Sequence, residues 1–175
     1  QRYVDARHTY FSSSMLVVSE MKQSNGVLNA NGSARFNTTR YSYSEAMYNT
    51  QGRGFQGFRK IIEEDYTGVV EENKAPGLRT TTTFHQKYPL TSLVEKVVVN
   101  PVSRPGETDR ISQTDNGWRC NRANMADTTA CNVTSGSNPV RFVYQAYSEH
   151  VTFDLNTALA GLPYKLTGFT ADYFS

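Results

Sequence analysis

The sequence is poor in most residues that announce a chemistry. Its 175 residues include two cysteines, one tryptophan and three histidines. No histidine stands at ligand spacing from Cys120 or Cys131, so a structural zinc site is not expected. None of His8, His85 and His150 has a partner acid or nucleophile supplied by the local sequence, and neither G-x-S-x-G nor H-E-x-x-H occurs. Asp109, Asp115 and Asp127 are not at calcium-loop spacing. The net charge is +2 and no run of five lysines or arginines appears, which argues against a dedicated nucleic-acid surface. The longest apolar stretch, VEKVVV, is far too short for a membrane span. No internal repeat marks a propeller or solenoid. No cofactor, no metal and no enzymatic activity are expected. The chain opens on Gln1 without an apolar leader, as an excised or processed piece would.

What is abundant is aromatic and β-branched: eleven tyrosines and nine phenylalanines among many threonines and serines. This is a β composition. The expected fold class is all-β, mainly long antiparallel strands and hairpins, as part of a β-shell or a sandwich-like sheet. The length suits one domain or one segment of a larger structure, residues 1–175, with a polar cysteine-bearing insertion at about 100–140.

Along the chain, Arg7 to Phe11 reads as a terminal strand. MLVVSEM (15–21) is apolar on both faces and reads as a buried strand. Asn25-Gly26 and Asn31-Gly32 are turn dipeptides, and VLNA-NG-SARF reads as a hairpin with a two-residue type I′ loop. Ala34 and Phe36 alternate in one phase, Tyr41, Tyr43 and Met47 in the other, so a bulge or break is expected near Asn37–Arg40.

Gln51 to Phe58, QGRGFQGF, is the most distinctive stretch. It reads as a glycine bulge or corner into a strand from Phe58 to Asp65, with Phe55 and Phe58 anchoring the bend. Gly52, Gly54 and Gly57 also satisfy G-x-G-x-x-G. A dinucleotide cradle needs a preceding strand, a helix opening at the last glycine and an acid about 20 residues on. FRKIIEEDYTG suits a strand better, so the structural reading is preferred. Val69 to Glu72 starts a return, and Lys74 to Gly77 is a turn. LRTTTTFH (78–85) and Leu93 to Val99 read as neighbouring antiparallel strands around a Tyr88-Pro89-Leu90 turn.

Residues 100–139 turn polar, a long surface excursion or a hairpin insertion pinned by the cysteines. A Cys120–Cys131 disulfide is favoured over two free thiols, and would imply an oxidising compartment or export. Trp118 packs over that bridge or presents its ring to a sugar, which makes it the candidate ligand-contacting residue. Arg141 to Tyr147 and a run through Val151, Phe153 and Leu155 read as two strands. Ala158 to Leu162 reads as one helical turn and Tyr164 to Tyr173 as a closing strand.

Glu63 and Asp65 share a strand face and could form a glycosidase pair, although a solvated edge facing Arg59, Lys60 or Lys74 is the plainer reading. Asn31-Gly-Ser33, Asn37-Thr-Thr39 and Asn132-Val-Thr134 fit the glycosylation pattern, which matters only in a glycosylating secretory system.

Four pieces stand in order: SMLVVSEM, RYSYSEAMYNTQGRGFQGFRKI, LRTTTTFHQKYPL and SLVEKVVV. Together they resemble the large bacterial Rhs/YD-repeat proteins. The likeness is nearest to the segment beginning the Rhs region in SpvB-type proteins and in the B component of insecticidal toxin complexes. It covers roughly Ser14 to Val99. It implies a wall segment of a hollow β-shell that encloses a toxic or variable domain, in a protein exported from a bacterium. It makes Tyr41, Tyr43, Gly52, Arg53, Gly54, Phe55, Gly57, Phe58, Tyr88, Pro89 and Leu90 structural positions. The implied partners are other segments of the same parent chain or toxin-complex components. Open sheet edges add self-association, with no nucleic acid and no membrane span. Gln56 departs from the pattern by standing where an aliphatic residue is usual, so its side chain is expected toward solvent. No Tyr-Asp-x-x-Gly repeat is present. The alternative function is a carbohydrate-binding or adhesion β-module using Trp118 and neighbouring tyrosines.

Overall fold

The structure is a computed structural model that describes residues 3–29, 31–66, 77–101, 109–122, 131, 140–154 and 163–170. Its strands are β1 (Tyr3–Asp5), β2 (His8–Tyr10), β3 (Glu20–Leu28), β4 (Ala34–Asn49), β5 (Gly54–Asp65), β6 (Leu78–Phe84), β7 (Val94–Pro101), β8 (Ser112–Arg122), β9 (Val140–Phe153) and β10 (Pro163–Thr170). All join one antiparallel sheet in the order β1-β2-β4-β5-β6-β7-β8-β9-β10, with β3 paired to β4. The expected all-β class is what forms.

Strand β4 organises one end. Its Ala34–Arg40 half pairs with β3 and its Met47–Asn49 end pairs with β2, while β5 runs along Thr39–Asn49. Between those two attachments the chain 11–19 bridges past the strand, tied by Phe11 N–H to Ala46 O (2.8 Å) and Tyr41 N–H to Ser19 O (2.9 Å).

The sheet has sparse cover. Among the described residues the buried hydrophobic ones are Met47, Cys120, Cys131 and Ala146. Cross-strand partners share a face, so each row can be followed across strands. One face carries Tyr43, Ile61, Thr82, Val97, Thr114 and His150 in a row, beside Tyr41, Glu63, Thr80, Val99, Ser112 and Thr152. The other carries Ser44, Lys60, Thr83, Lys96, Asp115 and Glu149. The first face is mainly aromatic, aliphatic and hydroxylic. The second holds ion pairs such as Lys96–Asp115 (3.0 Å) and Arg79–Glu64 (2.7 Å).

Several expectations are corrected. MLVVSEM is not a buried strand: residues 15–19 are outside any strand, β3 begins at Glu20, and Leu16 is fully exposed. Apolar residues stay exposed there because, among the described residues, no second layer lies over them. The Asn31-Gly32 hairpin forms, but Asn29 N–H bonds Ser33 O and Gly32 N–H bonds Asn29 O, with Gly32 at φ 79°. Three residues therefore separate the closing pair, the arrangement of a turn followed by a glycine bulge. Asn25-Gly26 makes no turn; Gly26 lies within β3 at a register shift. No break occurs at Asn37–Arg40. Phe36 is 48 % exposed, so it never shared an inward face with Tyr41, and the shift falls between Ala46 and Tyr48.

The polar stretch after Asn100 contains all of β8, paired on both sides. Its central Gly117 lies under the Tyr147 ring, where an added Cβ would stand 1.8 Å from the ring. The two strands expected over 141–155 are one, β9. The return at 69–72, most of the 74–77 turn, the helical turn at 158–162, residues 171–173 of the closing strand and the 132–134 acceptor pattern lie outside the described residues.

Candidate functional site

Six of the nine residues buried among those described, His8, Thr9, Met47, Asn49, Gln56 and Gln86, gather at one end of the sheet. Here the β1–β2 turn, the β4–β5 turn and the β6–β7 connection meet around an open cavity of about 1010 Å³.

The β4–β5 turn is the glycine stretch. Asn49 and Gly54 close it, and Gly52 and Gly54 take φ values of 96° and 71°. Asn49 Oδ1 accepts the N–H groups of Gln51 (2.9 Å) and Arg53 (3.4 Å). The strand then makes its bulge. Met47 on β4 faces a two-residue step, Gln56-Gly57, and Gly57 has φ 86°, the left-handed geometry that glycine adopts without a Cβ penalty. The glycine bulge forms as expected, inside β5 rather than before it, since β5 starts at Gly54.

The bulge turns Gln56 inward. Its expected solvent exposure is wrong: the residue is 4 % exposed. Its Nε2 donates to Arg53 O (3.2 Å) and Gly54 O (3.1 Å), and its Oε1 accepts from Thr91 Oγ1 (3.1 Å). An amide is needed because the two carbonyls turned inward by the bend must be satisfied. Gln86 mirrors it from the other turn, donating to Glu45 O (2.6 Å) and Gly57 O (2.9 Å).

Arg53, Tyr88 and Leu90 of the signature set line the cavity. Arg53 lies over the Tyr88 ring at 3.6 Å, within cation–π range. The Tyr88–Pro89 peptide is cis, and Leu90 N–H returns to Lys87 O (2.9 Å). Phe55 packs on Phe58 (5.5 Å between ring centres) and on Phe11 (5.2 Å), and Phe58 on Tyr43 (4.9 Å). Tyr41 stands one row away, opposite Glu63. Burial first, then that carboxylate, pushes its phenol pKa up.

A charged chain closes the site. Asp5 takes Lys87 Nζ at 2.7 Å and His8 Nδ1 at 2.8 Å, and His8 Nε2 meets Asn49 Nδ2 at 3.2 Å. Burial works against ionisation of Asp5, but the bonds from Lys87, the Arg7 N–H and His8 outweigh it and hold the carboxyl well below the usual range. Arg59 pairs with Glu95 and bonds Phe84 O. His85 stands 3.8 Å from Glu95; burial foremost lowers its pKa, Arg59 adds to that, and Glu95 opposes it.

Sequence reasoning missed Asn49, Gln56, Gln86, Thr91 and the Asp5–His8 pair. His8 does have a partner acid, three residues away at Asp5, and that spacing was the available signal; nothing local marked the glutamines as buried. Glu63 and Asp65 are set apart from this cavity. Glu63 stands opposite Tyr41 and Thr80, and Asp65 opposite Thr39 and Leu78. Of the eleven signature positions, Arg53, Tyr88 and Leu90 line the cavity, Tyr43, Phe55 and Phe58 stack on one another outside its lining, and Tyr41 stands a row away; Trp118 is not part of either group. Its indole N–H donates to Val94 O (2.8 Å) and the residue is half-buried in β8. Cys120 and Cys131 form a disulfide. Among the described residues no cluster of three or more metal-binding side chains forms, and no helix is long and apolar enough to cross a membrane.

No curated protein matches the chain. Residues 11–92, just under half of the chain, match the family described as the insecticide toxin TcdB middle/N-terminal region. That span includes Phe11, which packs on Phe55, and Thr91, which bonds Gln56. Over the part that builds most of this clasp, the turns tied together by Gln56, Gln86 and Asp5, the chain is similar to a region of a toxin-complex protein.

Proposed function

We propose that the chain is a non-catalytic wall segment of a large exported Rhs or toxin-complex-like protein, part of a β-shell around a toxic or variable domain. One observation carries the reading. A single sheet, with strands as long as sixteen residues, buries only four hydrophobic side chains among those described. An isolated domain would cover one face with a second layer. A wall instead continues at its edges and keeps both faces available. Leu166 and Phe169 on β10, and Val27, Leu28 and Met21 on β3, stay exposed at the two borders, the pattern expected of strands awaiting neighbours. The clasp then has a mechanical role, locking the β1–β2, β4–β5 and β6–β7 turns together at one rim. The likeness over residues 11–92 supports association with other toxin-complex parts. An exported protein also suits the disulfide.

The test compares the chain alone with the chain expressed inside its parent protein. Alone it is expected to bind a hydrophobic dye and to associate at rising concentration. In the parent, amide exchange along β3 and β10 is expected to slow. A dye-silent monomer whose edge amides exchange equally fast in both settings would exclude the wall reading.

A further inference from the structure

Four cations line the cavity: Arg7, Arg53, Arg59 and Lys87. Two are matched within it, Lys87 by Asp5 and Arg59 by Glu95. Arg7 and Arg53 have no acid at ion-pair distance among the described residues, and both are exposed. The backbone of Arg7 and the side chain of Arg53 are nevertheless anchored. The Arg7 carbonyl accepts both Thr50 N–H (2.9 Å) and Thr50 Oγ1–H (3.1 Å), which roots it on the turn that carries Arg53. Arg53 lies on Tyr88. A guanidinium lying over a ring leaves N–H groups at its rim for a planar acceptor, and a carboxylate matches them.

The rest of the lining narrows the ligand. The N–H groups of Gln51 and Arg53 are taken by Asn49 Oδ1, so the glycine turn does not offer them as a phosphate cradle. Met47, Leu90, Tyr88 and Ala6 supply apolar surface beside the cations. The volume, about 1010 Å³, far exceeds one side chain.

We propose that this cavity is a docking site for an acidic peptide segment, with carboxylates on Arg53 and Arg7 and an adjoining apolar side chain on Tyr88, Leu90 and Met47. The site stands independently of the wall reading, which is tested by assembly rather than by binding here.

The experiment uses the whole chain and a fluorescein-labelled octapeptide of alternating glutamate and leucine, followed by anisotropy at low salt. A peptide with lysine in place of glutamate and inorganic pyrophosphate as competitor complete the set. The glutamate peptide is expected to bind and the lysine peptide not to. Arg53→Gln and Arg7→Gln are each expected to weaken binding roughly tenfold, the loss of one charge-assisted contact. Lys165→Gln on β10 should leave it unchanged, and salt should weaken it. If Arg53→Gln does not fold, Arg7→Glu on an exposed side chain carries the same test. Equal binding of the lysine peptide, or undiminished binding by the arginine variants, overturns the proposal. So does pyrophosphate that binds as tightly as the peptide, which would make the cavity a phosphate site.

Discussion

The guanidinium carbon of Arg53 lies 3.6 Å from the ring centre of Tyr88. The two residues belong to different turns, one between β4 and β5 and one between β6 and β7, so their contact holds two hairpins together at the same rim. An exposed pair of this kind is worth about 0.5–1 kcal/mol. A double-mutant cycle of Arg53→Gln and Tyr88→Leu, read by urea unfolding, should return a coupling of that size. Strictly additive losses would mean that the rings and charges merely sit near one another.

Gln56 gives a larger effect. Gln56→Leu keeps approximate volume but leaves the Arg53 and Gly54 carbonyls and the Thr91 hydroxyl without their amide partner. The expected destabilisation is about 1–3 kcal/mol. Gln56→Glu should not rescue it, because a carboxylate has no N–H for the two carbonyls. An unfolding midpoint unchanged in Gln56→Leu would contradict the clasp.

Gly57 tests the bulge. Its φ is 86°, and an added Cβ would meet nothing closer than Ser92 Oγ at 3.8 Å. Space is available, so the cost of Gly57→Ala is conformational, about 1–2 kcal/mol for an L-residue held in left-handed geometry. A calorimetric melting temperature equal to the parent's would show that the strand adopts another register without penalty.

Acidification should act in two stages. His85 has a pKa below its ordinary 6.5 in the folded chain. The unfolded chain therefore binds more protons, and stability falls as pH drops through and below that value. Asp5 is shifted below 3.8. Its contribution is complete above that pH and is lost below it. Urea midpoints between pH 8 and pH 3 should show both declines, the first absent in His85→Gln and the second reduced in Asp5→Asn. A flat profile from pH 7.5 to pH 5.5 in the parent would remove the His85 assignment.

Much of the sheet was legible because strand chemistry is local. Four threonines in LRTTTTF and the run VEKVVV define β6 and β7 without reference to anything else, and they pair as neighbours. The glycines of 52–57 likewise declared a bend, since positive φ is a property of single residues. What could not be read was cover. MLVV looks buried only if something packs on it, and the described residues of a single sheet offer nothing. Gln56 looked solvent-facing because polarity was taken as exposure; the bulge that turns it inward depends on pairing with Met47 in another strand. The links from Asp5 to Lys87 and from Gln86 to Glu45 join residues far apart in the chain, and no local pattern encodes such distances.

The bridge from Phe11 to Ser19 has a mechanical corollary. Its two ends are fixed opposite Ala46 and Tyr41, a separation of about 17 Å along β4 at roughly 3.3 Å per residue. Fully stretched, the bridge would reach roughly 26 Å by the same rise. The surplus forces it to bow away from the strand, and Leu16 rides on that bow. Shortening the bridge by two residues should pull it taut without dislodging either anchor, whereas removing four would tear β2 or β3 from its place. The length of this strap, more than the identity of its side chains, keeps the two attachments on one strand compatible.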